Sequence, residues 1–250
     1  MFPSHGRVLS STGEGVADFA NDFLAARFAQ LRRELKKGYP RVFLILGNDD
    51  GRSAESAILA GAGRGLWEYI HNRQARLSKF LVFGYAYVPP TPFRLKDWER
   101  YDVSRYVDPG CISPLEGMYS VPVSESDLRF RTIKADLEQL VGQVDLSNAV
   151  FLFHSPPYQT NLDRAALDGK KVDHVPLDLN VGSIAIRRFL ETYQPLLSLH
   201  GHVHESARIT GHWKDMIGKT HAFSAAHDGP ELALVRIELD DLEASTRELL

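Results

Sequence analysis

The sequence has little of several things, and each shortage removes a class of protein. It holds one cysteine, Cys111, in 250 residues, which excludes an internal disulfide framework and a cysteine-based zinc cage. No apolar run approaches the length of a membrane span, and no basic-then-apolar signal segment follows Met1. The expected location is therefore the cytoplasm, with no membrane partner. Neither sign of charge dominates, with 29 basic against 32 acidic residues and a net charge of −3, so nothing calls for nucleic acid as a partner. There is no internal repeat, low-complexity tract or linker, which predicts one domain over residues 1–250. Hydrophobic residues at 44% and aromatics at 10% supply a core and exclude disorder as the main state. Ten histidines are present, with His200, His202 and His204 inside five residues.

Apolar spacing places the elements. Val16, Phe19, Ala20, Phe23, Leu24, Phe28, Leu31 and Leu35 recur every three or four residues and predict a helix with one apolar stripe. Arg32, Arg33, Lys36 and Lys37 crowd its end, where the helix dipole favours cations, and Gly38 suits the stop. The run 41–46 predicts a buried, parallel strand. After a poorly periodic stretch over 53–65, strands are predicted at 66–70 and 80–88. The segment 89–122 is rich in proline and reads as an ordered loop or cap, anchored by Trp98, Tyr101 and Tyr106. A second helix is marked by Phe130, Ile133, Leu137, Leu140 and Val141, and a second buried strand by 148–153. A polar loop, with Asp163, Asp168 and Asp173 reading as solvated, runs to about Asn180. A third helix carries Ala185, Ile186, Phe189, Leu190 and Tyr193 behind Ser183, and a third strand covers 196–199. The tail offers strands at 220–225 and 232–239. Helix then strand, three times over, predicts a layered α/β domain.

In such domains ligands bind beyond the carboxyl ends of the strands. Three ends carry polar clusters here: Gly47-Asn48-Asp49-Asp50, His154, and Gly201-His202-Val203-His204. An amide oxygen and imidazole nitrogens together suit manganese, iron or zinc better than calcium or magnesium. Gly47 and Gly201 would let the chain turn off its strand and bring backbone close to a cation. Taken singly, Asn48 and Asp49 are ordinary turn residues and the histidines ordinary strand residues. Their shared placement at strand ends, in this order, points to a metal site.

That ordered set resembles the calcineurin-like metallophosphoesterase family, whose later motifs are Gly-Asn-His-Asp/Glu, a lone His, and Gly-His-x-His. The resemblance covers Arg41 to about Ser206. It implies a two-sheet β-sandwich flanked by helices, with a two-metal site at one end of the sheets. Asn48, His154 and His202 would then ligate one cation and His204 the other. The implied activity is hydrolysis of a phosphomonoester or phosphodiester, a small phosphorylated substrate being attacked in line by a metal-bound hydroxide. The segment 89–122 would select the substrate, and Arg94 or Arg105 could meet its phosphate.

The sequence departs from the family pattern in two ways. The family opens with Asp-x-His and Gly-Asp-x-x-Asp, which supply the second metal's ligands and the bridging carboxylate. This sequence contains no Asp-x-His and no Gly-Asp; Pro3-Ser4-His5-Gly6 mimics the first motif only by coincidence. The first strands of the sandwich are therefore expected to be missing, with a true start upstream of Met1 or a truncated gene. Two cations without a bridging carboxylate repel strongly, so the sequence predicts one weakly held metal. The second departure is Asp49, which stands where the family has a histidine that assists the leaving group. Asp49 would be the catalytic acid only with a raised pKa, and neighbouring cations would lower it. The alternative is a truncated, non-catalytic or single-metal relative acting as a binding module. A nucleic-acid-binding module has only the basic helix end at 32–37 behind it. His200 reads as a strand-end core residue, and His174, His212, His221 and His227 lack any spacing that suggests a site.

Overall fold

The computed structural model describes residues 7–8 and 19–250. Strand β1 (Arg7–Val8) comes first, and a π-helical segment, Phe19–Ala25, runs into α1 (Ala26–Leu35) and a 3-10 turn at Lys36–Gly38. Then follow β2 (Phe43–Leu44), α2 (Glu55–Gly63), β3 (Glu68–Tyr69), β4 (Arg73–Leu77) and β5 (Phe80–Tyr85). Beyond the proline-rich segment lie β6 (Met118–Tyr119), α3 (Glu125–Phe130), α4 (Ile133–Val141) and β7 (Ala149–Phe153). A small hairpin, β8 (Lys171–Val172) and β9 (Val175–Pro176), leads to α5 (Ile184–Tyr193), β10 (Leu197–His200) and α6 (Ser206–Thr210). The chain closes with β11 (Lys214–Ile217), β12 (Thr220–Ser224), β13 (Ala233–Glu238) and β14 (Asp241–Leu249).

Six strands form one mixed sheet in the order β11-β12-β10-β7-β5-β4. The four inner strands are parallel, and β4 and β11 run antiparallel at the edges. Strand β7 explains the layering, because both of its faces are apolar and both are covered. Ala149, Phe151 and Phe153 face a core shared with Phe83 and Tyr85 of β5, Ile133 and Leu137 of α4, and Ile186, Phe189 and Leu190 of α5. Val150 faces the other way, with Leu197, Phe223 and Leu242, against which Val235, Ile237 and Leu239 pack. The hairpin β13–β14 thus forms a second layer on the sheet. The protein is a mixed α/β fold with helices against one face of its main sheet. Among the described residues no helix is long and apolar enough to cross a membrane.

Helix ends are fixed by side chains. Thr132 caps α4 by accepting from the Ala135 N–H at 3.1 Å, and Ser183 caps α5 by accepting from Ile186 N–H at 3.0 Å. The segment 89–122 is ordered because it is stitched to these helices. The Asp102 carboxylate accepts from the Ser183 hydroxyl and, at 2.7 Å, from the Ile184 N–H. Trp98 and Tyr101 are buried, as the sequence suggests, whereas Tyr106 is exposed. Within the segment Lys96 is wholly buried against Glu99, which also accepts from the Thr91 N–H and hydroxyl.

Several expectations need correction. The helix expected over 16–35 is seen from Phe19 onward, Val16 lying outside the described residues, and its apolar stripe is split. Ala20 and Ala25 are buried and Leu24 and Phe28 pack on the core, but Phe19, Phe23, Leu31 and Leu35 are exposed. The run 41–46 is a two-residue parallel strand paired with β3, and of its apolar residues Leu46 alone is fully buried. The stretch 53–65 contains α2, and polar β4 was not foreseen. Phe130 is exposed at the end of α3 rather than facing the core from α4. Asp163 is buried, not solvated. It organises its loop by accepting from the N–H groups of Gln159 and Thr160 at 2.9 Å and of Gly182 at 3.1 Å. The mimic motif Pro3-Ser4-His5-Gly6 lies outside the described residues.

The buried charges of this core can be tested directly. Lys96→Met would leave the Glu99 carboxylate buried without its cation, at a cost of about 3–5 kcal/mol in urea unfolding, and Lys96→Met/Glu99→Gln should recover much of that loss. His71 accepts the Ala86 N–H at 3.1 Å and sits among the rings of Tyr69, Tyr85, Tyr87 and Trp98. Burial, helped by Arg52, Arg100 and Arg73, lowers its pKa to about 3. The unfolded chain therefore binds a proton that the folded chain refuses. Stability from this group is intact above about pH 6.5 and falls with acidification toward pH 3, by up to about 1.4 kcal/mol per pH unit. His71→Asn should flatten the decline in urea midpoints measured between pH 7 and pH 5.

Candidate metal centre

The residues singled out by the sequence come from the carboxyl ends of neighbouring elements. His154 directly follows β7, and the Tyr85 carbonyl of β5 accepts its N–H at 3.1 Å. His202 follows β10, and the intervening Gly201 N–H donates to the His154 carbonyl at 3.0 Å. Asn48 follows β2 in a tight turn that Asp50 holds by accepting the Gly47 N–H at 2.7 Å. Asp50 is the residue of this loop to which the sequence assigned no role. Its signal is the turn-forming habit of a carboxylate that bonds its own backbone.

These turns bring three donors together. The Asn48 Oδ1 lies 2.7 Å from His154 Nε2 and 2.9 Å from His202 Nδ1, and the two imidazole rings meet edge to face at 5.2 Å. Asn48 itself is buried. Adjacent ligands of an octahedral cation with bonds of about 2.1 Å stand about 3 Å apart, so each histidine nitrogen stands from Asn48 Oδ1 at about the spacing of two ligands of one divalent cation. Burial lowers the His154 pKa to about 4, with His204 adding to the effect and Asp49 opposing it. Burial likewise lowers that of His202 to about 3, with His154 and His204 adding to it. Both rings are therefore neutral at ordinary pH; the nitrogens that face Asn48 Oδ1 carry the ring protons here and would offer a lone pair after a change of tautomer.

The other two expected residues stand at the margin. His204 is exposed and bonds to none of the three, although it is near enough to disfavour their protonation. Asp49 is exposed and its Oδ1 takes up the Asn48 amide N–H at 3.4 Å, which turns Asn48 Oδ1 toward the histidines. Among the described residues no three His, Cys, Asp or Glu side chains gather as a metal would need. The cluster offers two imidazoles and an amide, and among the described residues no carboxylate is seen to bridge it to a second cation site. These donors would suit a single cation.

The glycines differ in their reasons. A Cβ at Gly47 would stand 2.7 Å from Cε1 and 2.9 Å from Nε2 of His154, so only glycine lets this turn close on the ring. A Cβ at Gly201 would meet His154 Nδ1 at an ordinary 3.5 Å. The constrained residue there is His202, which adopts φ +71° inside a turn closed by Val203 N–H to the Gly201 carbonyl at 2.9 Å. A non-glycine residue in that region is strained, and such strain gathers at functional sites. His200 is buried, with Nδ1 2.9 Å from the Ser155 carbonyl and Nε2 2.8 Å from the Ser198 hydroxyl, which leaves it no free nitrogen. Arg94 and Arg105 are exposed.

No protein-family profile matches the chain, and no curated protein matches it. Solved structures do. One crystal structure, 16% identical, superposes with a TM-score of 0.51 over 92% of this chain and 73% of the other. The crystal structure of TT1561 of Thermus thermophilus, also 16% identical, gives a TM-score of 0.46 over 90% of this chain and 79% of that one. The first likeness concerns the fold alone.

The geometry predicts a contrast between the glycines. Gly47→Ala should displace the His154 ring and cost about 1–3 kcal/mol in urea unfolding. Gly201→Ala should cost less than about 1 kcal/mol. Equal effects of the two would contradict the close approach described here.

Proposed function

We propose that this chain is a metal-dependent phosphoesterase of the calcineurin-like kind, hydrolysing a phosphomonoester or phosphodiester. Asn48, His154 and His202 would hold one divalent cation, with manganese, iron or zinc suited to such donors. The observation that carries the reading is the convergence of Asn48 Oδ1, His154 Nε2 and His202 Nδ1 within 2.7 and 2.9 Å at the ends of strands. The layer of β13–β14 on the main sheet supports a two-sheet sandwich as the finer description of the fold.

A cation bound there would act as a Lewis acid on a phosphoryl oxygen. The chain's own residues prepare the place. Burial keeps both imidazoles neutral, the Asp49 carboxylate orients the Asn48 amide, and Gly47 gives the His154 ring its room. In this reading Asp49 is a positioning residue and not the acid for the leaving group. His204 stands exposed at the edge, where it would meet a second cation or the substrate.

A second reading is a single-cation binding module without turnover. It is favoured by the lack, among the described residues, of a third His, Cys, Asp or Glu side chain in the cluster. One experiment separates the two. Manganese or zinc at a hundred times its dissociation constant should stabilise the protein by about 2.7 kcal/mol, seen as a raised melting temperature that His202→Ala and Asn48→Ala abolish. A phosphoesterase will also release nitrophenol from p-nitrophenyl phosphate or its bis-ester, dependent on the cation and lost in His154→Ala. Stabilisation without release supports the binding module, and no stabilisation by either metal contradicts both readings.

A further inference from the structure

A polar cleft opens between the start of α2 and the proline-rich segment. Arg52, Arg100 and Tyr87 line it. Arg52 starts the 3-10 turn Arg52–Ala54, four residues after Asn48. Four residues of chain reach at most about 14 Å, so one small molecule could touch both places.

What marks the cleft is a surplus of hydrogen-bond donors. The Arg100 guanidinium lies over the Tyr87 ring, 3.9 Å from its centre, and its Nη1 bonds Asp136. Its Nε and Nη2 meet no acceptor among the described residues. Arg52 donates from Nε to Glu55 at 3.3 Å and from Nη1 to the Tyr87 hydroxyl at 3.4 Å, a long contact. Its Nη2 is likewise without an acceptor there. The guanidinium also stands 5.5 Å over the ring of Trp98, whose indole N–H is buried and has no partner among the described residues.

The acidic residues of this region balance its cations in charge, but most of their oxygens are already engaged by hydrogen bonds and leave the spare N–H groups unanswered. Asp136 accepts from the Tyr85 hydroxyl, Arg100 and Arg131. Asp97 accepts from the Arg52 N–H, the Ser120 N–H and the Ser120 hydroxyl. Glu99 is taken by Thr91 and Lys96, and Glu55 by the Tyr69 hydroxyl and Arg52. Asp127, which also lines the cleft, is the exception: its carboxylate makes no such bond among the described residues. A site with two closely placed guanidiniums and spare N–H groups is matched by a ligand that brings several acceptors and negative charge.

We infer that the Arg52–Arg100 cleft is an oxyanion site, which takes a phosphate or carboxylate group of a small molecule. The inference stands without the cation site. If the phosphoesterase reading is right, the cleft holds a second anionic group of the substrate and so selects for bis-anionic esters.

The test is calorimetry of the full chain in EDTA at low ionic strength, with inorganic phosphate and with acetate as probes. Saturable binding of phosphate alone assigns the site to phosphoryl groups, and of acetate alone to carboxylates; both results support the proposal. Arg52→Met and Arg100→Met should each weaken binding at least about tenfold, Asp127→Asn should tighten it several-fold, and His154→Ala should leave it unchanged. Should Arg100→Met fail to fold for want of a partner to Asp136, Arg52→Met decides the question, since the Arg52 side chain is 31% exposed. No saturable binding of either anion to the unaltered chain overturns the proposal. So does binding that Arg52→Met leaves intact, or that His154→Ala removes.

Discussion

The position of the candidate metal centre depends on the burial of β7 on both faces. A strand that is apolar on each side cannot slip by one residue without carrying its whole core set to the wrong layer. Phe151 stacks on Phe83 at 4.8 Å and meets Phe189 edge-on at 5.1 Å, which fixes the register and with it His154 at the strand's end. Strand β10 pairs with β7 from Leu197 opposite Val150 to Leu199 opposite Leu152, so His202 arrives beside His154 as a consequence. The third donor needs a different device, and the missing Cβ of Gly47 supplies it by letting the Asn48 turn close on the ring.

The chemistry of the cluster follows from what it costs to bury. Two imidazoles and an amide are all uncharged when burial holds the ring pKa values near 3 and 4. An aspartate in place of Asn48 would bury a charge that needs a partner, whereas the amide oxygen is satisfied by two N–H groups. The three side chains can therefore fold together without a cation, and on the proposed reading they would exchange their mutual hydrogen bonds for metal bonds when one arrives. The strained backbone of His202 belongs to the same arrangement, since φ +71° points its ring at Asn48.

The parts of this fold legible in the sequence are those whose signal is local. The run at 149–153 is continuous because both of its faces are covered, and Ser183 before an apolar helix is a cap that needs no context. Helix α2 was not legible, because Ala57, Ile58 and Gly61 are its buried residues and small side chains draw no stripe. Edge strand β4, with mostly exposed polar residues, carries little period-two contrast. The split stripe of α1 and the buried carboxylate of Asp163 depend on long-range packing that spacing does not encode. At the site, the sequence brought out Asn48, His154 and His202 through their shared places at strand ends. His204 and Asp49 are exposed beside the donor cluster, and Asp49 bonds the Asn48 amide. The pairing of Arg52 with Arg100, far apart in the chain, left no sequence signal.

The central claim is that Asn48, His154 and His202 hold one cation between them. Crystals soaked in manganese and measured for anomalous scattering would test it most directly. The account predicts one anomalous peak within bonding distance of Asn48 Oδ1, His154 Nε2 and His202 Nδ1, absent in crystals of Asn48→Ala. Full manganese saturation without a peak at that place, or a peak bound elsewhere while the three side chains keep their mutual hydrogen bonds, would contradict it.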